Sequence, residues 1–163
     1  MNMIRCRGLS TGVGLQSVRG GNANANVRKK LVVLGTGWGS YSVLRHINKK
    51  LFDVIVISPR NHFLFTPLLA STTVGTLEFR SIIEPIRNAG FRDEHHFHLS
   101  YATGLDTERQ VVQCVSSLDP AKEYEVSYDI LVIGIGAVPN DFNVPGVKEH
   151  AFFLKVHLPV CYY

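Results

Sequence analysis

The sequence predicts an α/β fold in which a parallel sheet is joined by an antiparallel meander of three strands. Two apolar runs, LVVLG and DVIVIS, enclose an amphipathic stretch, as in a strand–helix–strand crossover. From His98 onward apolar residues recur with period two, which is typical of half-buried strands. A third apolar run, at 130–133, returns the chain to the first sheet.

The first crossover is predicted over residues 29–58. LVVLG follows Lys29 and Lys30 and is typical of a strand that is buried on both faces. A helix over 38–48 presents four apolar side chains to the sheet, Tyr41, Val43, Leu44 and Ile47. Residues 53–58 form the second buried strand.

The next segment is predicted to be irregular. Residues 62–77 are too apolar for a free loop, yet Pro67 and Gly75 interrupt any single element. We expect them to lie over a ligand or a neighbouring domain. Residues 81–89 are predicted to form a short helix around Pro85.

The meander is predicted from strands at 98–106, 110–116 and 124–128, separated by the turn DTER and the loop SLDPAK. The strand at 130–133 is again expected to be buried on both faces. Gly134 and Gly136 after it permit close approach of another backbone.

The positive charge is concentrated at the N-terminus. The net charge is +4, but six of the seventeen Lys and Arg residues precede residue 31 and no acidic residue precedes Asp53. A nucleic-acid partner is therefore not expected. Residues 1–28 are predicted to be a mitochondrial transit peptide, with a disordered basic tail as the alternative. No apolar run reaches the length of a transmembrane helix.

The cysteines and histidines predict neither a disulfide nor a metal site. Cys6, Cys114 and Cys161 have no CxxC spacing and are interpreted as ordinary thiols. His95, His96 and His98 would alternate between the two faces of a strand and lack a fourth ligand, so a loop-to-strand junction is favoured over zinc.

The glycine-rich segment GTGWGS, at 35–40, predicts a dinucleotide site. Gly35 makes the tight turn, and Gly37 lets the main chain approach a pyrophosphate at a helix N-terminus. Ser40 occupies the third glycine position. Because the motif lies between a buried strand and an amphipathic helix, we favour ligand binding over a merely structural turn.

The end of the second strand leaves the choice of dinucleotide open. Ser58, Pro59 and Arg60 stand where an acidic residue commonly binds the ribose. An Arg there is also typical of 2′-phosphate binding, so NADP competes with FAD on these residues alone.

Three stretches resemble one enzyme family. GTGWGS, VIVISPRNHFLFTPLLASTTVGTLEFRSIIEPIR and YDILVIGIGAVPNDFNVPGVKEHAFFLK are similar to the opening part of the type II, or alternative, NADH:ubiquinone oxidoreductases of mitochondria, over residues 29–156. These belong to the pyridine nucleotide-disulfide oxidoreductase-like flavoproteins. The resemblance implies a Rossmann-like sheet holding FAD, NADH on a second domain, hydride transfer through the flavin to ubiquinone, and peripheral association with the inner mitochondrial membrane, on an unspecified side.

The resemblance also implies site residues. Gly35, Gly37 and Trp38 would line the FAD pyrophosphate, and Ser58, Pro59 and Arg60 would flank the adenosine ribose. Thr66, Pro67 and Leu68 would lie near the isoalloxazine ring, although Thr66 and Pro67 also suit a simple turn in a packed loop. Gly136 and Ala137 match a second flavin-contacting turn. No catalytic side chain is expected, because the flavin carries the electrons.

The resemblance stops near residue 156, and 157–163 form a divergent tail. We therefore expect a truncated flavoprotein with an incomplete second half of the fold, lacking the NADH domain and inactive on its own. The alternative is a noncatalytic binding or assembly subunit whose protein partner covers the open sheet face.

Overall fold

The computed structural model describes residues 5–6, 28–91, 93, 95–137 and 139–151 of the 163. The strands are β1 Arg5–Cys6, β2 Lys29–Leu34, β3 Phe52–Ser58, β4 His62–Leu64, β5 Ile83–Pro85, β6 Phe97–Asp106, β7 Val111–Ser116, β8 Glu123–Ser127 and β9 Ile130–Ile133. The helices are α1 Trp38–His46, α2 Leu69–Thr73 and α3 Val147–His150, and 3₁₀ segments cover Thr66–Leu68, Phe79–Ile82 and Ile86–Ala89. Apart from Arg5, Cys6 and Arg28, the predicted leader lies outside the described residues, as does the predicted tail.

The main sheet combines parallel and antiparallel strands, as predicted. Its order is β8-β7-β6-β3-β2-β9, and β1 pairs beside β6. The pairs β6–β3, β3–β2 and β2–β9 are parallel. Strands β6, β7 and β8 form the antiparallel meander. In the described part of the chain, no helix is long and apolar enough to cross a membrane.

The meander continues the parallel sheet through a single strand. The first residues of β6 pair with β3, from Val56↔Phe97 to Ser58↔Leu99. From Ser100 onward the same strand pairs with β7 in the antiparallel direction. The predicted meander is therefore hydrogen-bonded to the parallel sheet through β6.

Both faces of the central strands are buried, which confirms the prediction for β2 and β3. One face packs against α1 and the segment after β3, in a cluster of Leu31, Val33, Tyr41, Leu44, Val54, Val56, Phe63, Ile86 and Phe91. The other face packs against the meander, in a cluster of Val32, Leu34, Ile55, Ile57, Val112, Cys114 and Val126. Of the four predicted inward side chains of α1, Tyr41 and Leu44 are buried, whereas Val43 and Ile47 are half-buried.

The prediction of a doubly buried strand at 130–133 was wrong. β9 pairs with β2, but Ile130 is 37% exposed and Ile133 is 57% exposed. An apolar composition shows that a strand can be buried, whereas its actual burial depends on the elements that cover it. In the described residues, β9 lies at the edge of the sheet.

The helix predicted over 81–89 was also wrong. Ile83–Pro85 is a strand that pairs antiparallel with β4, between two 3₁₀ segments. Pro85 lacks an N–H group and disfavours helical backbone at Glu84 before it. The β4–β5 pair satisfies the backbone there instead.

Candidate dinucleotide-binding site

The candidate site begins where β2, β3 and β9 end and α1 begins. Gly35, directly after β2, has φ +93°, and its N–H donates to the Ile57 carbonyl oxygen at 2.8 Å. A Cβ atom on Gly35 would lie 2.5 Å from the Gly134 carbonyl oxygen. The tight turn therefore requires glycine for its backbone conformation and for the approach of the chain that follows β9.

Ser40 holds α1 against these strand ends. Its side chain is fully buried. Its hydroxyl can donate to the Leu34 carbonyl oxygen, at 3.2 Å, or to the Gly134 carbonyl oxygen, at 3.4 Å. A Cβ atom on Gly134 would fall 2.0 Å from the Ser40 Oγ. Ser40, at the third glycine position of the motif, is therefore small enough to pack against Gly134, which follows β9.

The N-terminus of α1 faces this edge without a side-chain cap. Gly37 is the N-cap residue, with φ −77° and ψ −172°, and the first turn contains no acidic residue. The N–H groups of the first turn lack acceptors within the helix, and the helix dipole adds positive potential there. Donors and potential together favour an anionic group such as a pyrophosphate.

A buried hydrogen-bond network joins the glycine-rich turn to the end of β3. Thr36 and Ser58 are each 2% exposed, and their hydroxyl oxygens are 3.2 Å apart. The Arg60 N–H donates to Ser58 Oγ at 3.1 Å, and Thr36 Oγ1 lies 3.0 Å from the His62 carbonyl oxygen and 3.3 Å from that of Arg60. Residues 58–62 are thereby fixed beside the turn.

Trp38 joins the turn to the segment that follows β4. Its indole Nε1–H donates to Thr66 Oγ1 at 3.0 Å. Its ring packs edge-on against Phe63 at 5.0 Å and is tilted against Phe65 at 5.2 Å, while Tyr41 stacks on Phe63 at 4.4 Å. Two residues predicted for different parts of the ligand are therefore in direct contact.

The remaining predicted residues, apart from Pro59, lie at exposed positions. Pro67, Leu68 and Ala137 are exposed, the first two within a 3₁₀ segment. Gly136 has φ +73°, and a Cβ atom there would meet no atom within 4 Å, so the backbone conformation alone favours glycine. Pro59 is half-buried between Ser58 and Arg60.

The end of β3 carries one cation and a neutral imidazole. Burial, and then the charge of Arg60, lower the pKa of His62, which therefore stays uncharged at neutral pH. The Arg60 guanidinium makes no hydrogen bond or ion pair within the described part of the chain, where only its main chain enters the Thr36–Ser58 network. It remains available to a ligand.

Among the residues that the structure describes, no three metal-ligating side chains form a site. His95 and His96 lie in the turn before β6, and His98 lies on β6. His96 Nδ1–H donates to the Val54 carbonyl oxygen at 3.1 Å. His98 Nδ1 is hydrogen-bonded to the Tyr124 hydroxyl at 3.0 Å.

Sequence reasoning missed Thr36. A polar residue directly after an apolar strand, between two glycines, is the signal that could have identified it, since such a position is often buried and needs a partner. It also missed the aromatic contacts of Phe63 and Phe65 with Trp38.

The comparisons with known proteins agree on one family. Residues 29–162 match the family described as "Pyridine nucleotide-disulphide oxidoreductase". The external alternative NAD(P)H-ubiquinone oxidoreductase B4, mitochondrial, of Arabidopsis thaliana is 48% identical over 132 residues, which are 78% of this chain and 23% of that protein. A probable NADH dehydrogenase of Dictyostelium discoideum is 50% identical over 127 residues, 78% of this chain and 28% of that protein.

A solved structure shares the fold. NDH2 from Plasmodium falciparum in complex with NADH superposes with a TM-score of 0.71 at 36% identity, over 78% of this chain and 26% of that one. The chain therefore spans about a quarter of the length of these similar proteins.

Proposed function

This chain belongs to the pyridine nucleotide-disulphide oxidoreductase family, and we propose that its residues 29–156 hold FAD for a mitochondrial NADH:ubiquinone oxidoreductase. The similar protein from Arabidopsis thaliana is named a mitochondrial NAD(P)H-ubiquinone oxidoreductase, and the one from Dictyostelium discoideum is named a probable NADH dehydrogenase. Because both are named as redox enzymes, a noncatalytic assembly subunit is not favoured. NADH and ubiquinone would be partners of a protein of the relatives' full length.

The uncapped N-terminus of α1 fits the pyrophosphate of FAD. Gly35 and Gly37 carry no side chain, so a phosphate can approach the main chain between them and the first turn of the helix. Trp38, 49% exposed, borders the same place. These residues would bind and orient the ligand without taking part in electron transfer.

The adenosine would lie towards the end of β3. Ser58, Pro59 and Arg60 lie beside the glycine-rich turn, and the Arg60 guanidinium, which has no ion-pair partner among the described residues, is the charged group available there. Arg60 alone was the reason to consider NADP. FAD is favoured over NADP, because the segment with Thr66, Pro67 and Leu68 is hydrogen-bonded to the helix N-terminus and extends the site beyond the pyrophosphate.

The isoalloxazine ring would lie near Thr66, Pro67 and Leu68 on one side and Gly136 and Ala137 on the other. When bound, the flavin supplies the redox chemistry, accepting a hydride and passing on electrons. The residues here need only exclude water and orient the ring, which suits the exposed apolar Leu68 and the open space beside Gly136.

A mitochondrial location follows from the same proposal. The Arabidopsis relative is named as mitochondrial, and the basic leader of this chain, without acidic residues, has the composition of a transit peptide. We propose peripheral association with the inner membrane.

The observation that carries the proposal is the glycine-lined, uncapped start of α1 in contact with the end of β9. The test is the visible absorption spectrum of the purified chain, with the released cofactor identified by mass. A yellow protein that releases FAD supports the proposal. A folded, colourless protein that remains colourless after incubation with FAD would show it to be wrong.

A further inference from the structure

The hydroxyl groups of Thr36 and Ser58 have a complete set of partners inside the protein. Each hydroxyl has one hydrogen to donate. The Arg60 N–H donates to Ser58 Oγ, the Ser58 hydroxyl can donate to Thr36 Oγ1, and the Thr36 hydroxyl can donate to the His62 carbonyl oxygen. In this chain of hydrogen bonds no hydroxyl hydrogen is left over for a ligand.

The burial of both side chains supports this arrangement. Thr36 and Ser58 are each 2% exposed, so a ribose would have to displace protein to reach either hydroxyl. An unsatisfied hydroxyl at such a position would be costly, whereas each hydroxyl here has a partner of its own. Thr36 and Ser58 therefore act on a ligand by holding the main chain of residues 58–62 in place.

Resting on the proposed function, we propose that Thr36 and Ser58 are a pair of positioning residues, and that Ser58 is not itself a ribose ligand. The pair fixes the main chain of Arg60 and the start of its side chain at the adenosine end of the site. It takes the place of the acidic residue that contacts the ribose in many dinucleotide-binding domains. Recognition of the ribose is left to the carbonyl oxygen and the guanidinium of Arg60, because the Arg60 N–H already donates to Ser58 Oγ.

The test uses the full chain with Thr36→Val, Ser58→Ala and the double variant. Hydrogen exchange of the Arg60 amide is measured without ligand, and FAD affinity is measured by titration. Each single variant should accelerate Arg60 exchange and weaken FAD about three- to tenfold, the effect of losing one hydrogen bond. The double variant should lose little more than either single one, because one network is broken.

Two further variants separate positioning from a general loss of structure. Thr36→Ser keeps the hydroxyl and should restore both readouts, and it also serves if Thr36→Val fails to fold. Ser117→Ala is the matched control, because the buried Ser117 Oγ has no hydrogen-bond partner among the residues that the structure describes. It should leave Arg60 exchange and FAD affinity unchanged.

The outcomes distinguish the inference from the proposed function. If Ser58→Ala weakens FAD while Thr36→Val does not, and Arg60 exchange is unchanged in both, Ser58 is a direct ligand and the inference is overturned. If the unaltered chain binds no FAD, the proposed function fails. The exchange of the Arg60 amide then still decides whether the pair fixes that main chain.

Discussion

Gly35 is restricted twice, by its left-handed φ of +93° and by the Gly134 carbonyl oxygen 2.5 Å from where a Cβ atom would lie. A left-handed conformation alone costs a non-glycine residue about 1–3 kcal/mol, and the contact adds to it. Gly35→Ala should therefore lower the free energy of unfolding by at least about 2 kcal/mol, measured by urea denaturation.

Gly39 provides the matched control, because a Cβ atom there meets nothing within 4 Å and the residue lies inside α1. Gly39→Ala should raise the free energy of unfolding by up to about 1 kcal/mol, since alanine favours helix. Equal changes in the free energy of unfolding for the two substitutions would contradict the close approach of Gly35 to Gly134.

Cys114 predicts a specific loss of stability in alkaline solution. The side chain is 1% exposed, and burial raises the pKa of its thiol from 9.0 to about 11. The folded state therefore keeps its proton while the unfolded state loses it. The resulting stability is complete below pH 9 and decreases as the pH rises towards 11, by a slope approaching about 1.4 kcal/mol per pH unit.

The comparison is between the unaltered chain and Cys114→Ala, with the free energy of unfolding measured at several pH values from 8 to 11. Below pH 9 the variant should be less stable than the unaltered chain because it creates a cavity. Its slope above pH 9 should be shallower, whereas identical slopes would show that this thiol does not titrate differently in the two states.

At the scale of single residues, the sequence predicted the tight turn at Gly35 but not the burial of Ser58. The turn was predictable because it depends on the local backbone. The burial of Ser58 depends on Thr36, 22 residues away in the sequence, and on how two strand ends meet. No local pattern contains that information.

The N-terminus of α1 predicts opposite effects on stability and on binding. Gly37 has an extended backbone that any residue adopts, and a Cβ atom would lie an acceptable 3.8 Å from the Gly134 carbonyl oxygen. Gly37→Asp should cap the helix and raise the free energy of unfolding by about 0.3–1 kcal/mol. It should abolish measurable FAD binding, because a carboxylate would occupy the pyrophosphate position.

Gly37→Asn separates charge from size, since asparagine has the same shape and caps helices about as well. We expect it to weaken FAD binding clearly less than Gly37→Asp does, in titrations at the same ionic strength. Equal loss in both variants would mean that bulk alone matters, and unchanged binding in both would place the pyrophosphate elsewhere.

At the scale of elements, β2, α1 and β3 were predictable because each has a continuous pattern of its own. The segment Ile83–Pro85 was not, because three residues contain no period and their strand conformation comes from pairing with β4. Its Pro85 argued against the helix that was predicted there. The exposed position of β9 was also missed, since periodicity describes the strand and not what covers it.

For the whole molecule, the exposed isoleucines in and after β9 predict self-association. Ile133 and Ile135 are 57% and 56% exposed, beside an edge strand that pairs on one side within the described residues. Sedimentation velocity should show association that increases with protein concentration. Ile133→Thr should weaken it while changing the free energy of unfolding by less than about 0.5 kcal/mol.

Leu118→Thr is the control, because Leu118 is 81% exposed but lies in the loop between β7 and β8. It should leave the association unchanged. A monodisperse unaltered chain, or an equal effect of both substitutions, would show that the exposed isoleucines do not drive association.

The overall architecture followed from the order of apolar runs, yet the pairing of the meander with β3 did not. Period-two patterns predicted 98–106 as a strand of the meander but did not predict a partner in the parallel sheet. β6 pairs with β3 before Ser100 and with β7 after it. That change of partner depends on the three-dimensional path of the chain, which the local pattern does not describe.

The contact between Gly35 and Gly134 also fixes an order of events during biosynthesis. β2, α1 and β3 lie within thirty consecutive residues, from Lys29 to Ser58, and can pair as soon as they leave the ribosome. β9 can pair with β2 only after the whole meander has been translated. The Lys30 N–H, at the start of β2, donates to the carboxylate of Asp129, which lies 99 residues later in the sequence. A nascent chain that stops before Gly134 lacks one wall of the proposed site, so we expect FAD to bind only after β9 has been translated.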